Sequence, residues 1–141
     1  MLKNIDPLLN ADLLGHLAAM GHGDVIAIVD RNYPAASTGQ RVVTLSGVDV
    51  PTAARAILTV LPVDTFVEPA VLRMGAVGDE AAEQPVHLDL QSVVDEAEGR
   101  PVPSAPVDRH DFYRRAREAY VVVATTEDRP YGCFLITKGV V

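Results

Sequence analysis

The sequence predicts an α/β layered fold, a single domain with a mostly parallel central sheet flanked by helices, and three observations carry that expectation. Short, continuously apolar, β-branched runs such as "VIAIV" and "VVVAT" read as strands covered on both faces. Segments of helical periodicity with recognisable caps alternate with those runs, as in layered α/β proteins. A chain of 141 residues, 48% of them hydrophobic, is long enough to bury roughly two thirds of its unfolded surface around one core, so residues 1–141 are expected to form one domain.

Taken in order, "NADLLGHLAAMG" has Asn10 in position to cap a helix, Leu13, Leu17 and Met20 on one face, and Gly21 where a left-handed residue would end it. That helix delivers His22 at its exit. The strand at residues 25–29 follows, with Asp30 at its carboxyl end. The loop "RNYPAASTGQ" leads to a strand at residues 41–45, and "DVPTAARAILTVLP" reads as a helix with Pro51 in its first turn. Another strand is expected over residues 70–76. "GDEAAEQPVHLDLQSVVDEAEGRP" carries Val86, Leu90, Val93 and Ala97 at helical spacing and closes at Gly99 and Pro101. The proline-rich "PVPSAPVD" supports no assignment, because proline is confined to edges and irregular parts of sheets. "HDFYRRAREAY" then reads as helix, "VVVAT" as buried strand, "TEDRPYG" as turn and "CFLIT" as the last strand. No internal repeat or low-complexity tract interrupts the alternation.

Composition excludes several functional classes. A formal charge of −7 argues against a nucleic-acid partner, since that affinity comes mainly from Lys and Arg neutralising phosphates, and suits a small neutral ligand better. No apolar run approaches the roughly 20 residues of a membrane helix, and "MLKNIDPLLN" lacks signal-peptide character, so no membrane partner and a cytoplasmic location are expected. Cys133 is the only cysteine, which leaves no intrachain disulfide, and no His or Cys spacing points to a metal.

Several residues have the chemistry of a site. His22 can donate or accept a proton near neutrality, and the flanking Gly21 and Gly23 permit close backbone approach. A polar loop histidine after a helix accounts for the pattern equally well. Asp30 closes a hydrophobic strand, where ligand crevices of open α/β sheets lie, although a loop-capping aspartate would look the same. "GHG" is no nucleotide loop, since its spacing is wrong and the strand follows it. Cys133, at the start of an apolar run, reads as a buried small hydrophobe rather than a nucleophile. Met20 and Met74 read as core fillers. His16, one turn after Asp12, reads as half of a surface pair, and His87, among acidic residues, as solvated. Arg109, His110, Arg114, Arg115 and Arg117 read as a solvated basic face, but Arg109 is expected to precede the helix, where its fork of donors could hold vicinal hydroxyls. Tyr131 can stack on a sugar ring, and Gly132 beside it leaves backbone accessible.

Taken together, "MLKNIDPLL", "LLGHLAAMGHGD", "NYPA", "LPVDTFVEP", "FYRRAREAYVVVATTE" and "YGCFLITKGV" resemble the family of L-fucose mutarotases and D-ribose pyranases. The likeness runs through almost the whole chain, is densest over residues 1–35 and 108–140, and over residues 73–107 extends only to helical character. It implies a small α/β protein assembled as a ring-like homo-oligomer, commonly a decamer, with each site near a subunit boundary. It also implies anomer exchange on a small neutral monosaccharide without metal or cofactor. Carried over by position, His22 in "GHGD" matches the proton donor, Asp30 a sugar-hydroxyl ligand, and Arg109, Tyr131 and Gly132 further sugar contacts. In the fucose-type relatives Asp64 of "LPVDTFVE" and Tyr113 of "FYRRA" match sugar ligands as well. Cys133 stands among the substrate-binding positions where the family commonly has asparagine, Tyr33 replaces phenylalanine, and "ATTE" replaces "ATGE".

The chemistry so implied is general acid–base catalysis. Protonated His22 would protonate the ring oxygen, a carboxylate, tyrosine or water would relay the second proton, and Asp30 and Arg109 would hold the sugar. "GHGD", "YPA" and Arg109 lean to the fucose branch. A D-ribose pyranase working through the same open chain is one rival, and an oligomer that binds sugar without catalysis is the other.

Overall fold

A computed structural model describes residues 2–141. Five helices, α1 (Ala11–Ala19), α2 (Ala35–Thr38), α3 (Val50–Ile57), α4 (Pro85–Glu98) and α5 (Arg109–Glu118), alternate with six strands. The strands are β1 (Val25–Val29), β2 (Val42–Leu45), β3 (Val71–Met74), β4 (Ser104–Val107), β5 (Val121–Thr125) and β6 (Phe134–Thr137). They form one sheet in the order β2-β5-β1-β6-β3-β4, in which only β6 runs antiparallel to its neighbours.

The two-residue period of the central strands explains why both faces of the sheet are covered. Ile26 and Ile28 of β1, with Val121 and Val123 of β5, face a core completed by Leu13 and Leu17 of α1, Ile57 of α3 and Leu90 of α4. Ala27 and Val29, with Val122, face the opposite way onto Phe112 and Ala116 of α5 and Ala35 of α2. Alternate side chains of one strand therefore belong to different cores, which is why "VIAIV" shows no polar face.

Asn10 caps α1, its side chain accepting the Leu13 N–H at 2.9 Å. The helix does not end on a left-handed Gly21. It stops at Met20 in extended backbone, and the left-handed glycine is Gly23, at φ 87° beyond His22. Asp49 caps α3 with Pro51 in the first turn, and Gly99 closes α4 at φ 67°. The unassigned proline-rich stretch supplies β4, an edge strand parallel to β3. There Pro106 costs little, because an edge strand leaves half of its N–H groups outside the ladder.

Both expectations about the other histidines need correction. His16 is half-buried and lies edge-on to Tyr120, with ring centroids 6.1 Å apart, rather than pairing with Asp12. His87 is not solvated but 3% exposed. The basic face of α5 is exposed as expected, with Arg114 and Arg115 both bonded to Asp111. Arg109, however, is the first residue of α5 rather than one preceding it, with Asp108 as the cap.

Candidate functional site

Because β6 is reversed, the carboxyl ends of β1, β3 and β4 and the beginning of β6 lie at the same end of the sheet. A cavity of about 220 Å³ opens there, lined by Asp30, Tyr33, Arg109, Tyr113, Tyr131 and Cys133, with Asn32, Met74, Val77 and Pro130. Five of the predicted positions, from three separate stretches of chain, thus line one cavity. A slightly larger hollow of about 280 Å³ lies toward the other end of the sheet, between the Gly23–Asp24 turn, Val67 and the end of α5, and gathers none of the predicted site residues.

Asp30 caps its turn and also faces the cavity. Its Oδ1 accepts the N–H groups of Asn32 and Tyr33 at 2.9 and 3.0 Å, which fixes the turn after β1, while the buried carboxylate also forms part of the cavity wall. Arg109 lies on the far side, its Nε donating to Tyr113 Oη at 3.2 Å, so the guanidinium and phenol are oriented as a pair. Tyr33 packs against Tyr113 with ring centroids 5.4 Å apart, and its hydroxyl accepts from Thr38 Oγ1. Burial raises the Tyr33 phenol above its ordinary value. A neutral hydroxyl can both donate and accept at neutral pH.

Cys133 is 2% exposed. Burial, and then the negative charge of Asp30 beside it, push the thiol well above its usual range. A thiolate is the reactive form, so this side chain shapes the wall and is no nucleophile. Gly132 is buried and does not line the cavity. A Cβ there would come within 2.8 Å of Glu127 Cγ, so this glycine is required by packing.

Tyr131 adopts φ 62°, an unusual backbone for a residue with a Cβ. Its hydroxyl accepts the Val77 N–H at 3.3 Å, and its carbonyl accepts from His87 Nε2 at 3.0 Å. His87 and Asn32 were not predicted as site residues. Asn32 belongs to the "NYPA" motif. For His87 the available signal was Pro85 at the start of a helix, which makes His87 the third helical residue, from where a side chain can reach back to the capping N–H. Its Nδ1 accepts the Gln84 N–H at 3.0 Å.

His22 and Asp64 lie elsewhere. His22 precedes β1 and Asp30 follows it, so a strand rising roughly 3.3 Å per residue separates them. Within one chain His22 does not meet Asp30, Arg109 or Tyr131. Instead His22 Nε2 bonds Asp64 Oδ1 at 2.9 Å, and its ring stands edge-on to Phe66 at 5.0 Å. Burial pushes the Asp64 carboxyl up, but the bond from His22 and the N–H groups of Phe66 and Val67 more than offset this and hold it below its ordinary value. His22 is 40% exposed, and among the described residues no intrachain bond engages its other ring nitrogen, Nδ1. Among the described residues no three His, Cys, Asp or Glu side chains come together in a way that could hold a metal ion.

The chain is similar to proteins of known activity. It is 36% identical to the L-fucose mutarotase of Haemophilus influenzae (strain 86-028NP), over 99% of this chain and 97% of that one. To the fucose mutarotase of Homo sapiens it is 37% identical, with 99% and 94% covered. Its fold superimposes on the crystal structure of the fucose mutarotase from Streptococcus pneumoniae in complex with L-fucose with a TM-score of 0.91, at 33% identity and 99% coverage of both chains. Residues 3–141 match the model of the RbsD / FucU transport protein family. With the predicted motifs distributed over this fold as described, the chain belongs to the RbsD / FucU family.

Proposed function

We propose that this protein is a sugar mutarotase, interconverting the α and β anomers of L-fucose or a closely related reducing monosaccharide. The observation that carries the reading is the cavity in which Asp30, Arg109, Tyr113 and Tyr131 converge. It offers a carboxylate acceptor, a guanidinium fork and two aromatic hydroxyls, a set suited to a small, neutral, polyhydroxylated ring. Full-length likeness to fucose mutarotases from bacteria and from human supports the reaction type.

Mutarotation opens the cyclic hemiacetal, lets the carbonyl turn and recloses it. The ring oxygen gains a proton as the anomeric hydroxyl loses one, and on closure the anomeric oxygen is protonated again while the attacking hydroxyl gives its proton up. General acid–base catalysis of this kind is worth about 10² to 10⁴-fold. His22 is the proton donor in this reading. Asp64 takes its Nε2 edge and leaves Nδ1 for proton exchange. Asp30 and Arg109 hold the sugar hydroxyls, and Tyr113, Tyr131 or a water relays the second proton.

Since His22 and Asp30 sit at opposite ends of β1, the complete site needs the His22 end of a second copy against the Asp30 cavity of the first. Such a contact joins unlike surfaces, which makes a ring where the rotation between copies closes. Exposed apolar side chains at both ends support this arrangement, with Phe66 and Val67 beside His22 at 74% and 45% exposure and Val77 beside the cavity at 70%. A homo-oligomeric ring, a decamer in the family's manner, with sites at the subunit boundaries is the assembly we infer. The single unpaired cysteine suits a reducing cytoplasm, and no helix among the described residues is long and apolar enough to cross a membrane.

One observation favours a second reading. Cys133 presents no amide to a ligand, so a sugar could be bound without being turned over. Exchange NMR on the anomeric protons of L-fucose, D-ribose and other reducing sugars tests both. Acceleration that is lost in His22→Ala, with binding weakened in Asp30→Ala, is expected. A fully active His22→Ala protein overturns the proton-donor role, binding without acceleration makes the protein a sugar-binding oligomer, and acceleration confined to the pyranose–furanose exchange of D-ribose makes it a pyranase.

A further inference from the structure

The turn that presents Tyr131 to the cavity is held in place by a histidine outside that cavity. Tyr131 and Asn4 are the non-glycine residues in left-handed backbone among the described residues. A tyrosine keeps such a conformation only where its surroundings over-determine it. Two contacts do so here, the Val77 N–H on its hydroxyl and the His87 ring on its carbonyl.

The geometry around His87 assigns its protons. The Gln84 N–H can only donate, so Nδ1, at 3.0 Å, is the bare nitrogen. Nε2 therefore carries the hydrogen and donates it to the Tyr131 carbonyl at 3.0 Å. The imidazole is 3% exposed and stands edge-on to Phe134 of β6, with ring centroids 5.6 Å apart. Arg73 of β3 and Glu83 before α4 are the charged groups that face it. One side chain thus joins the start of α4, the start of β6 and the turn at the cavity rim. Packing alone would be served by any apolar group of this size, and a buried histidine with both nitrogens satisfied is a costly substitute for one.

We propose that His87 is a positioning residue of the sugar site: its Nε2–H, oriented by the Gln84 N–H on Nδ1, clamps the Tyr131 carbonyl and so fixes the phenol on the cavity wall. The inference rests on the reading that this cavity takes the sugar. Burial holds His87 below the ordinary histidine range, even though the bond to Tyr131 acts the other way, so the clamp is neutral at neutral pH.

The test measures KM and kcat for L-fucose anomer exchange in the intact protein, in His87→Phe, His87→Gln and Tyr131→Ala, and in the double variant His87→Phe/Tyr131→Ala. Phenylalanine fills the space without the donor, whereas glutamine places an N–H at similar reach. We expect His87→Phe to raise KM about tenfold with kcat nearly unchanged, His87→Gln to recover most of the loss, and the double variant to be no weaker than Tyr131→Ala alone. A folded His87→Phe protein with unchanged KM, equal losses in His87→Phe and His87→Gln, or additive losses in the double variant would each overturn the inference. If instead Tyr131→Ala and Arg109→Ala both keep the normal KM, the sugar-site reading fails and takes this inference with it. Should His87→Phe not fold, ¹⁵N imidazole spectra of the unaltered protein decide. An Nε2–H tautomer whose proton exchanges more slowly with L-fucose present supports the clamp, and an Nδ1–H tautomer or a proton indifferent to the sugar overturns it.

Discussion

Single side chains carry the chemistry, and their surroundings set what each can do. The Asp64 carboxyl is held below its ordinary value in the folded protein, so the tie to His22 is fully present above about pH 4, the ordinary carboxylate range, and is lost as pH falls through the lower folded value. Asp64→Asn is expected to keep the fold and slow anomer exchange about tenfold or more, as a neutral amide replaces the carboxylate that orients the ring. Exchange NMR with a thermal melt as control checks this. For His87 the sign is the unusual one for a histidine. Its folded value is lowered, so its contribution to stability is complete above about pH 6.5 and is lost as pH falls toward the folded value. Denaturant midpoints measured between pH 5 and 7.5 should fall on the acid side in the intact protein and less steeply in His87→Gln. Cys133, buried with its thiol pushed up, is expected to resist an alkylating reagent in the native protein and to react once the chain is unfolded.

At the scale of elements, the turn from Glu127 to Gly132 depends on a buried carboxylate. Glu127 is 2% exposed and accepts from Val50 N–H, from the Arg129 backbone and from both sides of the Arg129 guanidinium fork, while Arg129 also reaches Asp89 of α4. Burial raises the Glu127 carboxyl, but the Arg129 bonds together with the Val50 N–H hold it below its ordinary value. Glu127→Gln should cost about 2 kcal/mol in a denaturant melt at pH 7, after allowance for the partial exposure of Arg129. The difference should shrink as pH falls below about 4, the ordinary carboxylate range, toward the lower folded value, because the unfolded chain takes up the proton first. Legibility in the sequence was uneven at this scale. β1, β5 and α1 announced themselves through uninterrupted apolar runs or a cap with spaced leucines. β4 did not, because Pro106 is tolerated there only by virtue of an edge position that no local pattern encodes. His87 misled for a similar reason: its neighbours in sequence are acidic, but its neighbours in space are Phe134 and the Tyr131 carbonyl.

Across the whole molecule, the five-residue β1 sets the distance between His22, the proposed proton donor, and Asp30, a proposed sugar ligand. If each site draws on two copies, subunits of His22→Ala, which lacks acceleration, and of Asp30→Ala, which binds sugar weakly, should recover activity when dissociated together and reassembled. With random mixing about a quarter of the sites would have both residues intact. Activity that stays at the level of the separate variants would show that no site is shared between copies. Light scattering on the same samples gives the size of the assembly.

By itself the sequence determined the layered α/β architecture and the residue types of the site. Periodicity, caps and strand-end positions are local properties, and "GHGD", "NYPA", "FYRRA" and "YGC" keep their chemistry wherever the chain carries them. Only the tertiary structure decided which of those residues meet. The reversed β6 and the parallel β3 and β4 bring Cys133, Tyr131, Tyr113 and Arg109 to the carboxyl end of β1 beside Asp30, while His22 and Asp64 are gathered at the other end. The family resemblance puts His22 and Asp30, eight positions apart, in one sugar site. An extended strand turns that short separation into nearly the length of the sheet, because a β-strand converts residue number into distance more efficiently than other regular secondary structures.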